Sequence, residues 1–371
     1  MDRGAIIAMA VEHCPNFNAL RLLAASSVVF SHSFLIATGS EETEPLHFTG
    51  QVTAVYGVFL FFILSGFLVT ESAKRSANVI DYFRKRILRI APAFIVSTFL
   101  ITYVICAPFA SGGAFDFIID TKTLNEAMLV IFFHKDILYF ANVDFYAAHG
   151  EANYLPHLAN GVLWTIRLEV IGYTFVGLLM ALSLLKGRKQ LIAIILTSAL
   201  IVASFAYINI ITSKWLAGFL FVAPSLCCGI AMNFLIGLHR PRNWIAGLFL
   251  LGLVPALYYQ VLPQAFPFIA AYPLIWLGSV PFRPFAWMGA RSDISYGIYL
   301  YGWPITQLLR AFLGDDMNGY QLTLMALPLT AFVAFCSWHL IEKPALRFKR
   351  TSPKEDLQKV SRQPTARLAS K

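Results

Sequence analysis

The feature that most constrains this chain is a succession of long apolar runs, several of about 18 or more residues, broken by short stretches of Gly, Pro and charge. In hydrocarbon every backbone N–H and C=O must be bonded within the structure, so such runs fold as helices or as a closed barrel. A barrel needs many short alternating segments, and unbroken runs exclude it. Only 13% of the 371 residues are charged, about half the share of a soluble domain. The expected fold is therefore all-α, a polytopic membrane helical bundle. The runs predict about ten transmembrane helices, near 19–37, 54–70, 90–108, 161–185, 191–211, 215–238, 244–262, 266–280, 294–313 and 322–341. The apolar piece at 5–11 is short and is followed by Glu12 and His13, which argues against a signal peptide.

The net charge of +9 is informative through its placement. With the N-terminus inside, most of the 29 Lys and Arg residues fall between spans on the cytoplasmic side or in the tail. Lys122, Lys135 and Lys214 fall outside, while Arg21, Arg167 and Arg310 sit in spans. This bias predicts cytoplasmic termini and reports contact with anionic headgroups rather than nucleic acid. Two regions follow: an integral-membrane domain over 1–350, and a basic cytoplasmic tail over 351–371 with no apolar periodicity, expected to be disordered. Within the long polar segment 110–160, the apolar piece 128–133 is too short to span and is expected to be interfacial or re-entrant. Cys14, Cys106, Cys227, Cys228 and Cys336 lack metal-ligand spacing, so no metal site is expected.

Ionisable groups inside spans carry the functional signal, because placing one there costs about 2.5–3.5 kcal/mol. Arg21 and His32 lie on the first span, roughly 16 Å apart along a helix axis. Arg21 is near the cytoplasmic face and His32 toward the external leaflet. The basic loop expected after the second span holds Arg84, Lys85, Arg86 and Arg89. Arg86 and Arg89, at i and i+3, share a helix side and suit a polyanion. In the second span, Ser65-Gly66 suits a close helix crossing or a gap for a thin ligand, with packing favoured. Arg167 and Glu169 open the fourth span on different faces, so Glu169 needs a partner from elsewhere. His32 is a candidate by depth, an arrangement that would leave one imidazole nitrogen as a base. No G-x-S-x-G elbow, H-E-x-x-H or glycine-rich phosphate loop occurs. Direct transfer assisted by a general base is therefore favoured over a covalent acyl-enzyme.

Ordered landmarks give the chain a resemblance. They are Asn18-x-x-Arg21 with His32, Gly57-Val58-Phe59-Leu60-Phe61-Phe62-Ile63-Leu64-Ser65-Gly66-Phe67, and Phe83-Arg84-Lys85-Arg86-Ile87-Leu88-Arg89-Ile90-Ala91-Pro92. Leu163-Trp164-Thr165-Ile166-Arg167-Leu168-Glu169, then Ser295-Tyr296-Gly297-Ile298-Tyr299-Leu300-Tyr301-Gly302-Trp303-Pro304, and a closing Ile341-Glu342-Lys343-Pro344 complete the set. Over about 16–348 the chain resembles the acyltransferase type 3 family, bacterial integral-membrane enzymes that O-acylate extracytoplasmic glycans.

The resemblance implies a multi-pass protein of the bacterial inner membrane. It implies acyl-CoA, most simply acetyl-CoA, as a donor substrate from the cytoplasm, with no permanently bound cofactor. The acceptor would be a hydroxyl of a polysaccharide or lipid-linked sugar. Arg21 and His32 match one family pair, and Arg86 and Arg89 match another. On this reading Arg21, Arg86 and Arg89 hold CoA phosphates, His32 deprotonates the acceptor, and Glu169, at the acidic position of the tryptophan-containing motif, is the second catalytic residue. Asn18, Trp164, Arg167 and Tyr296 fall to substrate binding. Gly302 stands where many members have His, and Arg167 where many have Ser; the added cation suits an acidic sugar or dicarboxylic acyl group. No hydrolase-like extension of the kind some members carry is expected, and a periplasmic relay by such a domain would then fall to a separate protein. The alternative reading is a glycan or precursor transporter with His32 and Glu169 as a proton relay, although no internal repeat marks inverted halves. A scaffolding subunit would leave the buried charges unexplained.

Overall fold

A computed structural model describes residues 16–147, 154–236, 241–280, 292–314 and 316–348. The expectations about the N-terminal segment, Cys14, the loop arginines Arg283 and Arg291, and the 351–371 tail lie outside these residues. The chain is helical: α1 (Asn16–Thr38), α2 (Thr53–Arg75), α3 (Val79–Leu100), α4 (Ala114–Ile119), α5 (Thr121–Ile131), α6 (Trp164–Ala181) and α7 (Gln190–Tyr207). There follow α8 (Lys214–Ile236), α9 (Asn243–Leu251), α10 (Leu253–Tyr258), α11 (Leu262–Ser279), α12 (Ser295–Leu313), α13 (Gly319–Ser337) and α14 (Lys343–Arg347). A two-stranded antiparallel pair, β1 (Leu138–Tyr139) and β2 (Leu158–Asn160), lies in the long polar segment.

Seven helices among the described residues are long and apolar enough to cross a membrane. The remaining apolar segments depart from the sequence expectation for physical reasons. The run at 244–262 is divided between the short helices α9 and α10, which meet at Gly252 ahead of Pro255. α11 carries Pro267 and Pro273 inside it. α12 is rich in polar and aromatic groups because its surroundings are protein rather than lipid: Tyr299, Trp303, Thr306, Gln307 and Arg310 are all buried.

The basic stretch after α2 is not a loop. α3 starts at Val79, where Asn78 accepts a hydrogen bond from the Asp81 N–H at 2.8 Å and caps the helix. Arg86 and Arg89 therefore stand inside a helix that continues through a π turn, Ile101–Cys106, to Phe109. The short apolar piece at 128–133 ends α5, and the chain reverses at Phe133 (φ 59°), whose ring stacks on Phe94 of α3 at 5.7 Å.

α2 lies at the centre of the bundle, against α8, α1, α11 and α6. Its crossing with α8 is reciprocal and close. A Cβ on Gly66 would sit 2.1 Å from the Leu226 carbonyl oxygen, and a Cβ on Gly229 2.1 Å from that of Ile63. Both neighbours are backbone and cannot step aside, so small residues set the helix separation. Gly66→Ala should cost about 1–3 kcal/mol or more of stability. The expected reading is a clear fall in thermal midpoint in detergent; an unchanged midpoint would contradict this packing.

The segment before α6 is irregular yet buried, with Leu155, Leu158, Asn160 and Val162 all covered. Its carbonyls are satisfied by a stripe on α12. Tyr299 donates to Val162 O at 2.8 Å, Trp303 Nε1 to Leu158 O at 2.9 Å, and Gln307 to Leu155 O at 2.7 Å. Asn160 returns a bond to Leu300 O at 2.9 Å. Non-helical backbone is tolerated deep in a bundle only with such partners.

Candidate active site

The α1, α2, α3, α6 and α12 helices enclose a cavity of about 650 Å³, with Trp338 and Leu346 completing its wall. Phe61, Ser65, Leu68 and Ser72 form one stripe of α2, and Lys85, Arg86, Arg89 and Ile90 one side of α3. One end is basic, with Ser72, Arg75, Lys85 and Arg86. The other is lined by Val58, Phe61, Thr165, Ile166 and Tyr299. Gly66 and Ser65 thus divide the two readings of their dipeptide: Gly66 closes on α8, and Ser65 lines the cavity.

The structure brings Arg21, Arg86, Arg89, Glu169 and Tyr296 together around this space, although they lie on four different helices. Arg86 donates to Ser72 Oγ at 3.1 Å and lies over the Tyr173 ring at 5.7 Å. Among the described residues it has no carboxylate partner. Arg89 is held by two carboxylates, Asp293 at 2.6 Å and the buried Glu342 at 3.1 Å, and Arg21 reaches Asp293 at 3.3 Å. Tyr296 donates to Ile90 O at 3.2 Å, and its ring is 5.8 Å from the Arg89 guanidinium carbon. Burial pushes the Asp293 carboxyl up, but Arg89, Arg21 and the Ser295 hydroxyl outweigh it and hold it below the usual carboxylate range. A depressed carboxylate stabilises the fold above its unfolded value and loses that contribution only as pH falls through its folded value. Asp293 is therefore ionised throughout the neutral range.

Asp293 and Glu342 were not singled out by sequence reasoning. Glu342 belongs to the closing Ile341-Glu342-Lys343-Pro344 motif, and its depth at the end of an apolar run was the available signal. Asp293, two residues ahead of Ser295, offered only an acidic residue at a helix start.

The contact expected between Glu169 and His32 is not made. Glu169 instead accepts from the Tyr173 hydroxyl, four residues on along its own helix, and both line the cavity. His32 does not line it. Its ring packs edge-on against Trp303 at 4.8 Å, and among the described residues it makes no hydrogen bond. Tyr299, at that second end of the cavity, is one turn before Trp303, about 6 Å along the helix axis. His32 thus meets α12 one turn beyond Tyr299, a residue of that helix that lines the cavity. A Cβ on Gly302 would lie 2.4 Å from Val29 Cγ2, so a histidine there would require the Val29 side chain to shift.

The remaining candidates sit outside the cavity wall. Arg167 pairs with Asp136 of the polar segment at 2.9 Å, on the opposite end of the bundle from Lys85 and Arg75. Trp164 lies against Gly218 of α8. Asn18 is on α1, just under a turn before Arg21. Among the described residues no cluster of His, Cys, Asp and Glu is arranged to hold a metal ion.

A family model described as an acyltransferase domain matches residues 15–342. The chain is 26% identical over 355 residues to an O-acetyl transferase of Shigella phage Sf6, covering 92% of this chain and 98% of that protein. It is 28% identical over 368 residues to Nodulation protein 10 of Rhizobium leguminosarum bv. viciae, covering 91% and 94%. With the peptidoglycan O-acetyltransferase OatA of Listeria monocytogenes it shares 24% identity over 376 residues, covering 90% of this chain and 56% of that protein. No solved structure gives a significant match.

Proposed function

We propose, from the premise that this chain belongs to the acyltransferase family and is an enzyme of that class, that it moves an acetyl group from cytoplasmic acetyl-CoA to a hydroxyl of a surface or lipid-linked polysaccharide. The observation that carries the reading is the convergence of Arg21, Arg86 and Arg89 on one cavity. The names of the phage and Listeria relatives favour acetyl as the acyl group, and the latter favours a glycan acceptor. On this reading both termini and the basic end of the cavity face the cytoplasm of a bacterial inner membrane, with about ten passes in all.

The donor's phosphates meet the guanidiniums, where charge-assisted and bidentate bonds are strongest. Its pantetheine arm follows the Leu68, Ser65 and Phe61 stripe toward Thr165 and Tyr299. The acceptor hydroxyl oxygen attacks the thioester carbonyl as its proton passes to His32; the C–S bond breaks and CoA leaves as thiolate, which then takes up a proton. His32 packs on Trp303, one turn along α12 from the cavity-lining Tyr299, and the acceptor hydroxyl approaches from that side. Glu169 and Tyr173 form a hydrogen-bonded pair beside the donor path and set the polarity around the arginines. Arg167 and Asp136 stand on the acceptor side, together with Trp164.

The sidedness is directly testable. Acyl-CoA does not cross sealed membranes, so inside-out vesicles carrying the protein should release CoA from externally added acetyl-CoA. Right-side-out vesicles should not until permeabilised. Equal release from both orientations would contradict a cytoplasmic donor chamber.

A further inference from the structure

We propose that Asp293 is an internal stand-in for a donor phosphate: its carboxylate holds the Arg21–Arg89 guanidinium pair until the donor takes its place, so that donor binding is an anion exchange. This rests on the reading of the cavity as the acyl-CoA chamber, and it adds a residue that sets which anions enter.

One carboxylate oxygen carries both contacts. Asp293 Oδ2 is 2.6 Å from Arg89 Nη2 and 3.3 Å from Arg21 Nη1, bridging α3 and α1 as a phosphate oxygen would. The two arginines differ in what holds them otherwise. Arg89 keeps a second carboxylate, Glu342, whose side chain is 1% exposed, so its position does not depend on Asp293. Arg21 has no other carboxylate partner among the described residues. Asp293 itself lies in the non-helical stretch just before α12, where the Ser295 hydroxyl donates to its other oxygen at 2.6 Å. That second ligand is two residues away on the same chain and remains with the carboxylate when it parts from the arginines.

The charge balance of the cavity favours such an exchange. Lys85 is paired with Asp81 at 2.8 Å and Arg75 with Glu71 at 3.6 Å, each one turn away on its own helix. Of the cations that line the cavity, Arg86 is the one without a carboxylate among the described residues. With Glu169 also on the wall, a polyphosphate entering this space meets little uncompensated positive charge unless Asp293 yields its pair. A phosphate dianion offers two guanidiniums more charge and more acceptor oxygens than one carboxylate does. A monocarboxylate gains nothing from the same exchange. The site therefore favours phosphate-bearing ligands over carboxylates.

The exchange fixes the sign of a mutation. A carboxylate that only positioned the arginines would, when neutralised, weaken donor binding; a competitor's removal strengthens it. CoA is titrated calorimetrically into the full-length protein in nanodiscs, and acetyl-CoA turnover is followed in parallel. Asp293→Asn should lower the Kd for CoA about five- to tenfold, with KM falling alongside. Asp293→Ser removes the charge in a smaller side chain and should behave alike. Arg86→Ala serves as the control for the chamber itself. If wild type binds CoA, Arg86→Ala weakens it, and both Asp293 variants bind equally or more weakly, this inference falls while the chamber stands. Absence of CoA binding in every protein overturns both. Failure of both Asp293 variants to fold also overturns it, because the ion pair would then be a fixed part of the scaffold.

Discussion

Replacing His32 by alanine is expected to lower kcat for acyl transfer by about 10²–10⁴-fold while leaving the CoA dissociation constant within about twofold of wild type. The two halves of this expectation have different physical origins. A general base contributes only when the acceptor's proton moves, so its loss appears in turnover. His32 does not line the cavity, so its loss removes no contact to the phosphates. The ring does pack on Trp303 at 4.8 Å, and truncation leaves a void there. His32→Gln keeps most of that volume and a hydrogen-bonding group without the basic imidazole. Both variants should show the same loss of turnover if the imidazole supplies the base. A glutamine variant with near-normal kcat would assign His32 a packing role. Stopped or single-turnover measurements separate the chemical step from release.

Arg86→Ala is expected to raise the KM for acyl-CoA and the Kd for CoA by about 10- to 100-fold, which is about 1.4–2.8 kcal/mol and overlaps the low end of what truncating one partner of a buried charged contact costs. Arg86 is singled out because it is held by the Ser72 hydroxyl and the Tyr173 ring rather than by a carboxylate, leaving its charge available to a ligand. Lysine at this position should recover only part of the loss, since a point charge replaces a planar fork that also lies over Tyr173. Arg84 supplies the internal comparison. It belongs to the same basic run but does not line the cavity, and it donates to the Phe348 carbonyl at 2.6 Å. Arg84→Ala should therefore leave KM within about twofold, as expected for a partly solvated contact remote from the ligand. Equal effects of Arg84→Ala and Arg86→Ala would indicate a general electrostatic field instead of a built site.

What could be read in advance follows from how far each signal travels along the chain. The pairing of Arg86 with Arg89 on one side is a local periodicity, and it holds as soon as the stretch is helical. That the stretch is helical was obscured because charges end an apolar run; the Asn78 cap and Asp81 in the first turn were the overlooked local signals. Depth alone put Glu169 beside His32, and depth fixes neither rotation about the helix axis nor the course of neighbouring helices. Glu169 found its partner one turn away in Tyr173. The carboxylates that hold Arg89 lie 204 and 253 residues away in sequence, beyond any spacing argument. α12 departs furthest from the hydropathy expectation because a helix surrounded by protein need not present lipid-compatible side chains. Its Tyr299, Trp303 and Gln307 serve the carbonyls of a buried irregular segment instead.

The central claim is that one cavity seats the acyl donor while His32, packed on Trp303 of α12, activates the acceptor. It is tested most directly by CoA release from acetyl-CoA, using purified protein in nanodiscs with and without cell-envelope glycan fractions. Wild type, His32→Ala and Arg86→Ala are compared at matched folded concentration. The account predicts glycan-dependent release by wild type, loss of turnover at saturating donor for His32→Ala, and recovery of turnover at high donor for Arg86→Ala. No glycan-dependent release from any fraction, with all three proteins indistinguishable and none binding CoA, would contradict it.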